Sequence, residues 1–487
     1  MEQRITVLTY AVRGRVILKY SGQLGLMLAI LTLFPLAVAV LDTEWQAVQR
    51  YAVLCMGLLI TGGLLSRLPS PARIQENEAI TVTALAFLLA PLMMAWPMMT
   101  AGISFIDAMF EAISGVTTTG LSALGHVETR PASFLFARAW MQWYGGLGIV
   151  ILSVALLMGH HAAAHRLAET LESGETLIAT ARTHARHSII IYVGLTLFGL
   201  LLIWYLTGDA FTALLHVLSA VSTGGFSSFD NSLASLGHSM ALGVMFIAFL
   251  GAVSLPLYWS SVHAGWVKGV RTLFGDIELR ALLVTCLLSG SVLSLLAWLH
   301  HSDAPWFNGM LMGFSAQTTT GFASMPVIGM DPVSKLVLIV SMLVGGSVGS
   351  SAGGFKLFRL LIFLRFLQLM LRRVAMPPHA IAEPYLAGEK LDSDDMLRAL
   401  QLILLFIGVI VLSWLPFVAM GYDPLDALFE VVSACGTVGL STGITRPELE
   451  PLLKAVLCFD MLAGRLEIFA LLIVLYPRNW IGRREEA

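Results

Sequence analysis

Five apolar runs in this sequence are too long for the core of a soluble domain. Residues 25–41, 79–99, 188–206, 281–299 and 400–420 run 17 to 21 positions each without a charged residue. About 20 helical residues cross the roughly 30 Å hydrocarbon core of a bilayer. Over all 487 residues 57% are hydrophobic and 12% charged, which agrees with a membrane protein and excludes an ordinary soluble enzyme. No small-residue cleavage site follows the first run and apolar character resumes at Tyr51, so it reads as a retained span and not a signal peptide.

A coarse pass gives ten spanning helices, near residues 17–41, 47–65, 77–98, 134–158, 186–206, 238–264, 277–300, 332–374, 395–420 and 451–477. With a cytoplasmic N-terminus, inner-side segments hold 22 of the 29 lysines and arginines, and seven lie elsewhere, Arg465 among them. That division follows the positive-inside rule and puts both termini in the cytoplasm. No connection is long enough for a soluble domain, so any nucleotide sensor is expected to be another chain. A net charge of −2 gives no bulk preference for nucleic acid. Cys55, Cys286, Cys435 and Cys458 have no paired spacing and read as packed thiols, not a zinc site or a disulfide framework.

Four outward-side segments, each too short to cross twice, carry a repeated cluster. The clusters are SGVTTTGLS from Ser114, SAVSTGGFS from Ser219, SAQTTTGFA from Ser315 and SACGTVGLS from Ser433. Each has serine six residues before an aligned glycine, threonine two before it and a large apolar residue after it. The glycines, 120, 225, 321 and 439, are spaced by 105, 96 and 118 residues, room for two crossings and a loop. The expected architecture is all-α and polytopic, with four helix, pore-loop, helix units around one pore. The divisions are residues 1–75 for two extra N-terminal helices, then 76–160, 161–268, 269–375 and 376–487 for the four units. Non-helical backbone survives at membrane depth only where protein buries it or it lines a wet cavity. Glycine permits torsions that turn carbonyl oxygens toward an axis, and carbonyl rings replace the hydration shell of a cation. Half-helices are expected before each cluster, at 106–116, 210–221, 306–317 and 424–435. Their carbonyl ends carry partial negative charge and favour a cation.

The four clusters, the run Gly345–Lys356 (GGSVGSSAGGFK) and the segment Asp460–Ile468 (DMLAGRLEI) together resemble the Trk/Ktr/HKT superfamily of potassium transporters, closest to its Trk membrane subunit. The likeness spans essentially the whole chain. It implies a selectivity filter at Thr118, Thr119, Gly120, Thr223, Gly224, Gly225, Thr319, Thr320, Gly321, Thr437, Val438 and Gly439. Serine in place of the first glycine is associated with sodium permeation in plant relatives, so Gly120 argues for potassium. The resemblance also implies a gate below the filter, at Gly345, Gly346, Gly349, Gly353, Gly354, Lys356 and Arg465. The eighth segment, about 65 Å long if fully helical, must break there, because its glycines and serines disfavour helix. An intramembrane arginine needs a reason. The resemblance places it beneath the filter beside the loop, where it sets a barrier and clamps the loop; an ion pair with Asp460 or Glu467 is the other reading, and the two are compatible. Further implications are a homodimer, a cytosolic nucleotide-binding regulatory subunit, a bacterial inner-membrane location, and potassium as transported ion with no bound cofactor and no other metal.

Asp107, Glu111, Asp209, Asp230, Asp303, Asp331, Asp423, Asp426 and Glu430 either attract cations to an outer vestibule or, for some of them, cap the half-helices. His160, His161 and His165 lack an acidic or cysteine partner for a metal site. Residues 349–356 fail as a phosphate loop, because no Ser or Thr follows Lys356. No catalytic constellation is present. The alternatives are a sodium-permeable or sodium/proton-coupled member of the same fold, the channel-like subunit of a potassium-pumping ATPase, and a membrane enzyme acting on lipids.

Overall fold

In hydrocarbon every backbone polar group has to pair within the protein, and the chain meets that demand almost wholly with α-helices. The computed structural model describes residues 11–70, 74–157, 177–377, 385–386 and 389–480. Helices α1 (Gly14–Leu41) and α2 (Trp45–Ser66) pack as an antiparallel hairpin. A Cβ on Gly62 would stand 2.8 Å from the Gly22 carbonyl oxygen, so glycine here permits backbone approach.

Four units follow. The first is α3 (Glu76–Met98), α4 (Phe105–Val116) and α5 (Ala132–Leu157). The second is α6 (Leu177–Thr207), α7 (Ala210–Val221), α8 (His238–Gly251) and α9 (Leu255–His263). After α10 (Trp266–Gly275), the third comprises α11 (Ile277–Leu299), α12 (Pro305–Gln317), α13 (Pro332–Val344) and α14 (Leu357–Val374). The fourth is α15 (Ser393–Ala419), α16 (Pro424–Cys435), α17 (Pro451–Arg465) and α18 (Phe469–Leu475). The half-helices α4, α7, α12 and α16 are 12 or 13 residues long, and their starts lie within one residue of expectation. At 1.5 Å per residue they reach about 20 Å, too short to span. Ser104, Asp209 and Asp423 cap three of them, and α12 starts instead on Pro305.

The ten expected spans need two corrections. The segments at 238–264 and 451–477, read as continuous, are broken, in addition to the foreseen break at 332–374. Helices α8 and α9 bend by 84°. The Leu255 amide there donates to the Gly349 carbonyl at 3.0 Å instead of to its own helix, and Pro256 follows it. Between α17 and α18, Glu467 and Ile468 adopt φ of 54° and 60°, a conformation that a β-branched residue rarely takes. Arg359 holds Glu467 there at 2.5 Å. Six described helices are long and apolar enough to cross a membrane singly.

The two ends of the described chain meet. Val12 donates to the Asn479 carbonyl at 2.9 Å, and Arg13 pairs with buried Glu78 at 2.8 Å. A two-residue hairpin, β1 (Tyr385–Leu386) with β2 (Glu389–Lys390), rests Leu386 against Phe358, Ile362 and Ala399. The His160, His161 and His165 positions lie outside the described residues, as does the boundary at 160/161. Among the described residues no cluster of metal-ligating side chains occurs.

Candidate functional site: four glycine turns and the loop beneath them

Each half-helix ends in the same backbone turn. Thr118, Thr223, Thr319 and Thr437 have φ of 53°, 49°, 54° and 49°, and Gly120, Gly225, Gly321 and Gly439 have φ of 86°, 76°, 77° and 99°. The turns close a ring. A Cβ on Gly120 would overlap the carbonyl oxygen of Gly224; one on Gly225, that of Thr320; one on Gly321, that of Val438; and one on Gly439, that of Thr119. The units therefore follow one another around an axis in chain order, and each glycine lets its neighbour's carbonyl approach. Thr118, Thr119, Thr223, Thr319, Thr320, Thr437 and Val438 are all buried. The Thr119 hydroxyl meets that of Thr117 at 2.8 Å, and Thr320 meets Thr318 at 2.7 Å.

Behind the ring, in the first, second and fourth units the residue nine before the glycine holds the residue two after it. Glu111 accepts from Ser122 Oγ at 2.7 Å, His216 Nε2 meets Ser227 Oγ at 3.1 Å, and Glu430 accepts from Ser441 Oγ at 2.5 Å. In the third unit these positions are Met312 and Ala323, so both members are apolar together. Arg138 adds a 2.8 Å bond to Glu111 and lies 3.9 Å over the Phe226 ring, joining the first unit to the second. Glu111 and Glu430 are fully buried and lie within their helices, so neither expected role holds there: they do not line a vestibule or cap a helix start, and they brace the turn instead. Asp209, Asp331 and Asp423 cap helices, and Asp230 accepts from the Val127 amide at 2.8 Å. Asp107 pairs with Lys454 at 2.6 Å and Asp426 with Lys335 at 2.5 Å, each lysine reaching the half-helix of the next unit.

The run from Gly345 to Lys356 is the foreseen break, and it lies against the ring on the side of the half-helices' carbonyl ends. Gln317 Nε2 donates to the Gly345 carbonyl at 2.7 Å, and Leu357 donates to that of Gly346 at 3.0 Å. Gly353 donates to Thr319 Oγ1 at 2.6 Å, and Gly354 to the Gly436 carbonyl at 3.0 Å. Ser351 Oγ donates to the Val221 and Gly251 carbonyls at 3.0 Å, and Thr223 Oγ1 donates to Ser351 Oγ at 3.3 Å. Lys356, buried with φ of 73°, turns its ammonium back onto the Ala352 carbonyl. Arg465 is 2% exposed and donates to the Ser351 carbonyl at 2.8 Å and to that of Gly145 at 3.4 Å. The loop and Arg465 thus touch all four units. Among the described residues Arg465 has no acidic partner: Glu467 pairs with Arg359, and Asp460 takes the Ser413 hydroxyl at 2.5 Å. Of the two readings of this arginine, the ion pair is the one the geometry does not support.

Sequence reasoning missed Gln142, Gln317, Arg138 and the pairing of positions nine before and two after each glycine. Alignment of the four units at their glycines displays that pairing without coordinates.

Membrane-spanning helices in four units, with a closed ring of backbone turns at their centre, define a polytopic transport protein. The chain belongs to the TrkH family of cation transport proteins, whose sequence profile matches residues 72–480. It is 30% identical to the Trk system potassium uptake protein TrkH of Vibrio parahaemolyticus over 78% of this chain and 80% of that one. It is 29% identical to the Trk system potassium uptake protein TrkI of Halomonas elongata over 95% and 96% of the two chains. The crystal structure of the potassium transporter TrkH from Vibrio parahaemolyticus superposes with a TM-score of 0.86, at 26% identity, over 96% of this chain and 100% of that one.

Proposed function

We propose that this chain takes up potassium as the membrane subunit of a Trk-type system and that it is not an enzyme. The observation that carries this reading is the ring in which each glycine admits the neighbouring unit's carbonyl. In this reading Thr118, Thr119, Gly120, Thr223, Gly224, Gly225, Thr319, Thr320, Gly321, Thr437, Val438 and Gly439 form the filter, where carbonyl oxygens replace water around a dehydrated ion. The half-helix carbonyl ends add a field that favours cations. The gate is the loop bearing Gly345, Gly346, Gly349, Gly353, Gly354 and Lys356, held closed by Arg465, whose charge also opposes passage. A membrane potential of 100 mV contributes about 2.3 kcal/mol per charge, enough for roughly 50-fold accumulation at 1.4 kcal/mol per decade. The reading includes a homodimer, a cytosolic nucleotide-binding partner, and a bacterial inner membrane with both termini cytoplasmic. The junction of Val12 with Asn479, which brings the two ends of the described chain to one face, supports the placing of both termini on the same side of the membrane.

The test is cation flux into liposomes carrying the purified protein, with potassium, rubidium, sodium and lithium compared and Gly120→Ser alongside. Potassium and rubidium flux that loses selectivity in the variant is expected. Equal sodium flux through the unmutated protein overturns the potassium reading, and unchanged selectivity in Gly120→Ser overturns the filter assignment.

A further inference from the structure

We infer that Gln142, on the return helix of the first unit, is a positioning residue that sets the geometry of the second unit's turn and with it the ion selectivity of the ring. The inference rests on the filter reading above. Three units bring their own side chain immediately before the aligned glycine: Thr119, Thr320 and Val438. The second has Gly224, and Gln142 fills the space that its side chain would occupy. A Cβ on Gly224 would lie 2.6 Å from Oε1 and 2.7 Å from Nε2 of Gln142.

The carboxamide is fully buried and both its ends are used. Nε2 donates to the Gly224 carbonyl at 2.5 Å, and Oε1 accepts from the Phe226 amide at 3.1 Å. One side chain therefore grips the backbone on both sides of Gly225. An acceptor on one side and a donor on the other also fix which way the amide faces. The Gly224 carbonyl is the one that Gly120 admits. Among the described residues it is the only one of the four ring carbonyls that receives a hydrogen bond; those of Thr119, Thr320 and Val438 receive none. The second unit's orientation is thus set from the first unit, where the first and third units use hydroxyl pairs of their own.

The same comparison supplies a rescue. Ser222 stands where Thr117 and Thr318 stand in the other two units. A threonine at 224 would therefore find a hydroxyl to pair with once Gln142 is cut back.

Potassium and sodium flux are measured in liposomes for the full chain carrying Gln142→Ala, Gln142→Met, the double variant Gln142→Ala/Gly224→Thr, and Gly225→Ser, each checked for monodisperse elution. Gln142→Met keeps most of the volume without either bond. One net hydrogen bond is worth about fivefold and each single Gln142 variant loses two, so both are expected to lower the potassium-to-sodium ratio about tenfold or more while potassium flux persists. The double variant is expected to recover most of the ratio. An unchanged ratio in Gln142→Met, or a double variant no better than Gln142→Ala, overturns the inference if Gly225→Ser does alter selectivity. If Gly225→Ser leaves selectivity unchanged, the filter reading itself falls, and this inference with it.

Discussion

Glu430 sits behind the fourth glycine turn with no exposed surface and accepts from Ser441 Oγ at 2.5 Å, Thr442 N at 2.8 Å, Thr442 Oγ1 at 3.1 Å and Thr445 Oγ1 at 2.8 Å. Glu430→Met installs the residue that the third unit carries at the same position and removes every one of those acceptors. The three hydroxyls rotate and recover part of the loss on nearby carbonyls. The Thr442 amide does not rotate, and a stranded buried donor costs about 1–3 kcal/mol. With partial losses at the hydroxyls the expected destabilisation is about 3–5 kcal/mol. Glu430→Met/Ser441→Ala copies the third unit's Met312 and Ala323, so the two changes should be coupled by about 1–2 kcal/mol in a double-mutant cycle. Thermal unfolding in one detergent measures the stability, and liposome flux of potassium against sodium measures the filter. A Glu430→Met protein that unfolds with the wild type and keeps its selectivity would refute the bracing argument.

Three further outcomes are expected. In Gly353→Ala the new methyl would overlap Thr437 Oγ1 and the Gly436 carbonyl. Strain of about 1–3 kcal/mol in the observed arrangement shifts the loop about tenfold toward displacement, and in the proposed gate reading this raises basal potassium flux; unchanged flux would separate the loop from gating. Lys454→Met breaks the link from the fourth unit to Asp107 of α4, a pair 5% and 18% exposed, and should cost about 2 kcal/mol. A double cycle with Asp107→Asn that shows no coupling would contradict this. Asp209→Ala removes the cap of α7 for about 1 kcal/mol. Hydrogen bonds from Thr212 and Phe211 hold the Asp209 carboxyl below its usual range, so the cap's contribution is full above the ordinary carboxylate pKa and is lost as pH falls through the lowered folded-state value. The gap in melting temperature between wild type and variant should therefore close in acid; a gap that widens would reverse the sign.

The apolar runs and the four clusters were legible because each rests on local chain chemistry. A run of about 20 apolar residues has one stable solution in lipid, and a threonine and a glycine two apart adopt left-handed torsions in every unit. The starts of the half-helices were readable for the same reason: Ser104, Asp209, Pro305 and Pro424 are local start signals. The breaks were legible only where composition announced them. Gly345 to Gly354 did so. The bend after Gly251 depends on the Gly349 carbonyl, 98 residues later in the chain, and the turn at Ile468 depends on Arg359 holding Glu467.

The fate of Arg465 shows the same division. Its sequence neighbours offer two acids within five residues, and the folded chain uses neither, because Asp460 faces Ser413 and Glu467 faces Arg359. The guanidinium instead meets carbonyls of Gly145 and Ser351, contributed by the first and third units. Gln142 likewise sits 82 residues from the backbone it holds. The sequence alone determined that this chain lies in a membrane, that it has four related units and which residues make the turns, since periodicity, hydropathy and torsional preference act over a few residues. Only tertiary structure decided which carbonyl meets which glycine, where the loop docks and what each buried polar group bonds, because those choices pair residues far apart in the chain once the four units close into a ring.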